Sequence, residues 1–165
     1  MIANVMKLLL EQKQKVNIIF LDIDGVLTTL NTKYYYLDPV CMGHLKKVVD
    51  ATNAYFVISS TWRLYHMDRL MPMLADCGLE DRVIGVTPSR KETKDIGNDK
   101  KLILAWGRGF EIDEWLKNNE AVVDKYAVFD DDKHDLRTHV KVHVHTDTCK
   151  GLNAEDAEKA IEILK

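Results

Sequence analysis

Asp22 and Asp24 stand two residues apart with Gly25 directly behind them, and each of two further places in the chain gathers groups able to do related chemistry. One is Ser59-Ser60-Thr61-Trp62-Arg63; the other is the run Asp130-Asp131-Asp132, with Asp135 close behind. Carboxylates brought together repel unless a cation or a shared proton offsets the charge. A hard divalent cation with oxygen ligands resolves this, and magnesium suits a site with few carboxylates and a phosphate ligand. Residues two apart can face the same side as a strand runs out, so Asp22 and Asp24 can divide the labour. One attacks phosphorus to form an aspartyl phosphate. The other protonates the leaving group and later takes a proton from water, provided their environments hold the two pKa values apart. Gly25 lets the backbone turn sharply and come close to the site. Alone, an Asp-x-Asp also reads as a solvated turn; agreement among three separate places gives it weight.

These groups need elements to position them. Residues 16–21 (VNIIFL) form a continuous apolar run rich in β-branched side chains, the pattern of a strand buried on both faces of a parallel sheet. Asp22 follows it directly. Residues 54–59 (AYFVIS) read as a second such strand, 82–86 as a third, 126–129 (YAVF) as a fourth and 140–145 as a fifth. Helices are expected from Pro39 with Asp38 as N-cap, over 67–77 up to Gly78, over 110–118, and over 154–164 with Asn153 as cap. The charged stretch 90–101 reads as a loop. Strands alternating with helices imply a layered α/β fold with a mainly parallel sheet, whose ligands bind at the carboxyl ends of the strands. The three groups singled out above lie at three such ends.

The chain has 165 residues, 46 % hydrophobic and 30 % charged, with a net charge of -3. That is one domain with a substantial core. Near-balanced charge argues against a protein that coats nucleic acid nonspecifically. The three cysteines, Cys41, Cys77 and Cys149, form no CxxC pair, so no disulfide framework or zinc ribbon is expected, and a reducing, cytoplasmic setting fits. No apolar run reaches the ~20 residues that cross a bilayer, and the N-terminus lacks a secretory pattern. Ile2, Val5, Met6 and Leu9 make one helical stripe, so residues 1–15 read as a helical extension packed on a single domain of residues 16–165.

FLDIDGVL resembles motif I of the haloacid dehalogenase (HAD) superfamily, VISS its motif II and VFDDDKHD its motif IV. More narrowly, SSTWR, VIGVTP, RGFEIDEWL, FDDD and GLNAED resemble the HAD domains of Swiss-army-knife RNA repair proteins, whose relatives include phosphatases of polynucleotide ends. The resemblance implies a three-layer Rossmann-like fold with a small flap after motif I and no large cap domain. It implies Asp22 as nucleophile and Asp24 as general acid/base. Magnesium would be held by Asp22, the Asp24 backbone carbonyl and Asp130 or Asp131. Ser59 would bond a phosphoryl oxygen, with Ser60 as competitor. The cation that steadies the phosphoryl group would be Arg108, with Lys100 and Lys101 as rivals, and Arg63 would meet the substrate phosphate.

An uncapped site suits a phosphate carried on something large. The first expectation is a phosphorylated polynucleotide end or nucleotide, with a phosphoprotein such as a phosphotyrosine protein as the alternative. Tyr34, Tyr35 and Tyr36 fall on the flap, where they stack on a base or phosphotyrosine ring, or simply pack. A receiver-like phospho-acceptor domain fits the sheet but not the order of the acids, since receivers carry adjacent acids first and a lone Asp later. His143 and His145 share one strand face, either as zinc ligands or as an edge strand. Trp62 and Trp106 read as substrate or packing residues, Trp115 as core and Cys41 as a buried thiol. The chain has no GxxxxGK(S/T) run and so carries no P-loop kinase motif.

Overall fold

The computed structural model describes residues 2–33, 36–89, 91–95, 101–105 and 107–165. Its elements follow in the order α1 (Ile2–Gln12), β1 (Val16–Leu21), α2 (Pro39–Thr52), β2 (Tyr55–Ile58), α3 (Trp62–Tyr65), α4 (Met67–Ala75), β3 (Val83–Val86), β4 (Lys91–Asp95), β5 (Lys101–Ala105), α5 (Arg108–Asn119), β6 (Val123–Asp130), β7 (His143–His145) and α6 (Ala154–Leu164). Strands β3-β2-β1-β6-β7 form a parallel sheet in that order. The chain leaves β1 toward β2 on one side and returns with β6 on the other, so β1 and β6 flank the switch point where this class of sheet binds ligands.

Side-chain alternation along β1 builds the layers. Ile19 and Leu21 join one core with α2, α4 and α6, through Leu45, Leu70 and Ile161 among others. Ile18 and Phe20 join the opposite core with Leu9 of α1 and Ile112 and Trp115 of α5. Each fully buried aliphatic or aromatic side chain of this kind contributes about 1.5–3 kcal/mol relative to exposure. The result is the three-layer α/β fold with a mainly parallel sheet that the strand and helix pattern predicts. Leu9 of α1 is buried, so α1 packs on the second core rather than standing apart.

Local signals account for the ends of two helices. The Asp38 side chain accepts from the Val40 and Cys41 amides at 2.8 and 3.2 Å, and Pro39 occupies the first turn, where its missing N–H costs nothing. Asn153 accepts from the amides of Glu155 and Asp156 while Asp156 reaches back to the Asn153 amide, which makes a reciprocal cap for α6.

The stretch 90–101 departs from expectation. Instead of a loop, Lys91–Asp95 pairs antiparallel with Lys101–Ala105 in a separate two-stranded ribbon. Lys-Glu-Thr-Lys-Asp has no apolar alternation, so its strand character comes from backbone pairing with Lys101–Ala105 rather than from its own pattern. The expected fifth strand contracts to His143–His145, with a 3-10 turn over Arg137–His139 before it. No helix among the described residues is long and apolar enough to cross a membrane.

Candidate active site

Three adjoining strands deliver the key side chains at one level. In the register, Leu21 lies beside both Ile58 and Phe129, so the next residues, Asp22, Ser59 and Asp130, end side by side. The ladder continues through them, with the Asp22 amide donating to Phe129 O and the Ser59 amide to Leu21 O, each at 3.0 Å. Backbone hydrogen bonds therefore fix where these three residues start.

Asp22 is 5 % exposed and Asp130 fully buried. The Asp22 Oδ1 accepts from the Ile23 amide at 2.8 Å, and its Oδ2 accepts from Arg108 Nη1 at 2.5 Å. The same Arg108 Nη1 donates to Asp130 Oδ2. Burial works against the Arg108 charge, but the carboxylates of Asp22 and Asp130 outweigh it and hold its pKa above the ordinary arginine value. Burial pushes the Asp130 carboxyl up to about 6; Arg108 opposes the shift and the Asp22 charge adds to it. Asp131 completes the group: one carboxylate oxygen from each of Asp22, Asp130 and Asp131 lies within 4.8 Å of the others. This all-oxygen, all-anionic donor set fits a hard divalent cation. Lys100 lies outside the described residues, as do Tyr34, Tyr35 and Trp106, and so does the side chain of Lys101.

Asp24 faces elsewhere. It is exposed, and its Oδ2 accepts from the indole N–H of Trp62 at 3.0 Å, while Thr28 Oγ1 lies 3.5 Å from its Oδ1. Two clefts open on either side of this arrangement. A cleft of about 490 Å³ is lined by Asp22, Arg108, Asp130 and Asp131, and a smaller one of about 260 Å³ by Asp24, Trp62, Lys33 and Tyr36. Thr61 and Tyr65 line both.

Gly25 makes possible the sharp turn directly after Asp24. Its φ is +72°, and a Cβ added there would overlap the Asp131 carboxylate. Gly25→Ala therefore combines left-handed backbone strain, about 1–2 kcal/mol, with displacement of Asp131. We expect a lowered Tm and weaker binding of any divalent cation that the aspartates hold, read by thermal unfolding and by calorimetric titration of the metal. Retention of both values would contradict the packing of Gly25 on Asp131.

The two serines separate. Ser60 Oγ accepts from the Trp62 amide at 3.3 Å and closes the turn into α3. Ser59 Oγ is buried with no hydrogen-bond partner among the described residues, and Thr87 Oγ1 beyond the neighbouring strand shares that state. An orphaned buried hydroxyl is costly, and a ligand oxygen arriving at the strand ends would relieve it.

Arg63 requires a correction. Its Nε donates to Thr87 O at 3.0 Å and its Nη1 to Ser59 O and Ser60 O at 2.8 and 2.7 Å. Its Nη2 donates to Pro88 O at 3.3 Å and to Glu111 Oε2 at 2.7 Å. All five guanidinium donors thus end on protein acceptors, which leaves none for a substrate phosphate. The Arg63–Glu111 pair is almost fully buried, and it ties α3 and the β2 and β3 ends to α5.

The histidines also resolve. His143 Nε2 and His145 Nε2 hydrogen-bond the backbone carbonyls of Asp130 and Asp131 at 2.9 and 3.0 Å, so they brace the acidic loop from the edge strand. Burial holds His143 below its ordinary pKa. Cys41 is buried, and burial, reinforced by Asp38, raises its thiol pKa to about 11. Trp115 is core, as expected. Missed by sequence reasoning were the Trp62 contact with Asp24, 38 residues away in the chain, and the place of Tyr65 on the wall of both clefts.

A parallel α/β sheet that places an Asp-x-Asp, a buried serine and an acidic cluster at adjoining strand ends defines a HAD-type domain. Residues 18–157 match the family described as the HAD domain in Swiss Army Knife RNA repair proteins, and the chain belongs to that family. No curated protein and no solved structure shows significant similarity to the chain. Family membership suggests hydrolase activity of the phosphatase type, and the buried aspartates are compatible with metal binding.

Proposed function

We propose that the protein is a magnesium-dependent phosphomonoester hydrolase that works through an aspartyl phosphate on Asp22, acting on a phosphate carried by a nucleic-acid end or nucleotide. The observation that carries this reading is the convergence of Asp22, Arg108, Asp130 and Asp131 beside the orphaned hydroxyl of Ser59. Asp22, Asp130 and Asp131 are the side chains that would hold magnesium, together with the Asp24 carbonyl. The bound ion would offset the charge of the carboxylates and the phosphoryl group.

The residues then divide the reaction. An Asp22 carboxylate oxygen bonds to phosphorus as the ester P–O bond breaks, and Asp24 gives its proton to the departing oxygen. Asp24 then takes a proton from water, whose oxygen displaces Asp22 and releases inorganic phosphate. Arg108 steadies phosphoryl oxygens from the N-terminus of α5, and Ser59 donates its free hydroxyl to another. Arg63 keeps the loop after β2 in place through the carbonyls of Ser59 and Ser60.

A hydrolysis panel tests the reading: a small aryl phosphate, 3′- and 5′-phosphorylated oligonucleotides, mononucleotides, and phosphotyrosine and phosphoserine peptides, each with magnesium and with EDTA. We expect magnesium-dependent release of phosphate from the aryl ester and a higher kcat/KM on an oligonucleotide than on any peptide. Added salt should weaken only the oligonucleotide reaction strongly, because counterion release accompanies a polyanion. Full activity in EDTA sinks the metal assignment, and equal salt slopes for oligonucleotide and aryl ester count against nucleic acid.

A further inference from the structure

We propose that the smaller cleft beside Asp24 is the leaving-group subsite, and that it takes the terminal nucleoside of a polynucleotide end with its base stacked on Tyr65. This deepens the phosphatase reading and rests on it.

Proton bookkeeping fixes the side of the site. The acid must reach the oxygen that leaves, so the group attached to that oxygen has to lie in the space its carboxylate faces. Asp24 is the exposed member of the pair and lines the smaller cleft, whereas Asp22, Arg108, Asp130 and Asp131 line the larger one. The phosphoryl group and what it is attached to therefore occupy different clefts, joined at Thr61 and Tyr65, which line both.

The walls of the smaller cleft state what would fit. Tyr65 is 72 % exposed and Tyr36 58 % exposed, two large rings at the mouth of one cleft. A base offers a flat face to such rings whatever its identity. Thr61 brings a hydroxyl to the same wall, suited to a ribose or base edge, while the hydroxyls of Thr28, Thr29 and Thr32 are engaged within their own loop and shape its polar side. Lys33 lines the cleft too, with its ammonium 5.7 Å from the centre of the Tyr36 ring, where it can meet the next phosphate along the strand. At about 260 Å³ the cleft is smaller than the ~300–1,000 Å³ of sites for drug-sized ligands, and it suits one nucleoside.

The stacking platform is also mechanically joined to the acid. The Tyr65 ring meets the His66 ring edge-on at 6.4 Å, His66 meets Trp62 at 5.5 Å, and Trp62 donates to Asp24 at 3.0 Å. A base settled on Tyr65 thus bears on the residues that hold the acid.

A cycle between enzyme and substrate tests this. The wild type, Tyr65→Ala and Tyr65→Phe are compared on a phosphorylated oligonucleotide with a normal or an abasic terminal nucleotide, and on a small aryl phosphate. Removing the terminal base from the substrate, or the ring from Tyr65, should each lower kcat/KM by about tenfold or more. Doing both should cost little more than either alone, because each removes the same contact. Tyr65→Phe should keep the base effect, and the aryl ester should lose several times less than the oligonucleotide on Tyr65→Ala. Additive losses, or indifference to the terminal base in the wild type, overturn the subsite while leaving a phosphatase in place. A wild type that prefers a phosphotyrosine peptide overturns the nucleoside assignment alone. Inertness toward every phosphoester in magnesium removes both the subsite and the reading beneath it.

Discussion

Asp22→Asn is expected to lower turnover of every phosphoester by roughly three orders of magnitude or more while the protein stays folded. An amide oxygen is a poor nucleophile toward phosphorus, so the covalent step is removed at its source. Folding should survive because the shape is kept and part of the bonding persists. The amide oxygen can still accept from the Ile23 amide, and Arg108 retains its contact with Asp130. Loss of one anion also relieves the repulsion that helps push the Asp130 carboxyl up to about 6. Circular dichroism and thermal unfolding check the fold, and single-turnover phosphate release checks the chemistry. A variant that turns over at more than a tenth of the wild-type rate would falsify covalent catalysis by Asp22. Arg108→Ala in parallel separates attack from charge stabilisation, since it leaves the nucleophile in place and removes only the cation shared by Asp22 and Asp130.

What the sequence disclosed and what it hid divide along chain distance. The strand before Asp22 was legible because a run such as VNIIFL has few other uses, and the caps at Asp38 and Asn153 were legible because capping is local. The choice between Ser59 and Ser60 was not legible. It depends on where β2 stops, at Ile58, which leaves Ser59 on the ladder beside Leu21 and puts Ser60 in the turn into α3. Arg63 misled for a different reason. An arginine after a serine-rich strand end suits a phosphate, but its partner Glu111 lies 48 residues further on, and no local pattern announces that pair. The polar strand Lys91–Asp95 was hidden because only its pairing with Lys101–Ala105 makes it a strand. The link from Trp62 to Asp24 spans 38 residues and needs the fold to be seen.

Asp24→Asn should separate substrates by leaving group rather than slow all of them alike. An aryl oxide departs as a stable anion, whereas the alkoxide of a sugar needs a proton as the P–O bond breaks. The first turnover on an alkyl ester such as a phosphorylated oligonucleotide should therefore slow by ~10²–10⁴-fold, the usual contribution of a positioned acid. The first turnover on an aryl phosphate should slow far less. The second half-reaction behaves differently, because Asp24 also activates the water that releases Asp22. Steady-state rates would then fall on both substrates, and only the pre-steady state distinguishes the roles. With the aryl ester, a burst of aryl oxide equal to the enzyme concentration should persist in Asp24→Asn and be followed by a slow steady phase. With the oligonucleotide the burst should disappear. Asparagine is the right replacement because its oxygen can still accept from the Trp62 indole, which holds the side chain toward the smaller cleft. If the first turnover slows by the same factor on both esters, Asp24 is not the acid, and its exposed carboxylate beside that cleft must serve binding instead.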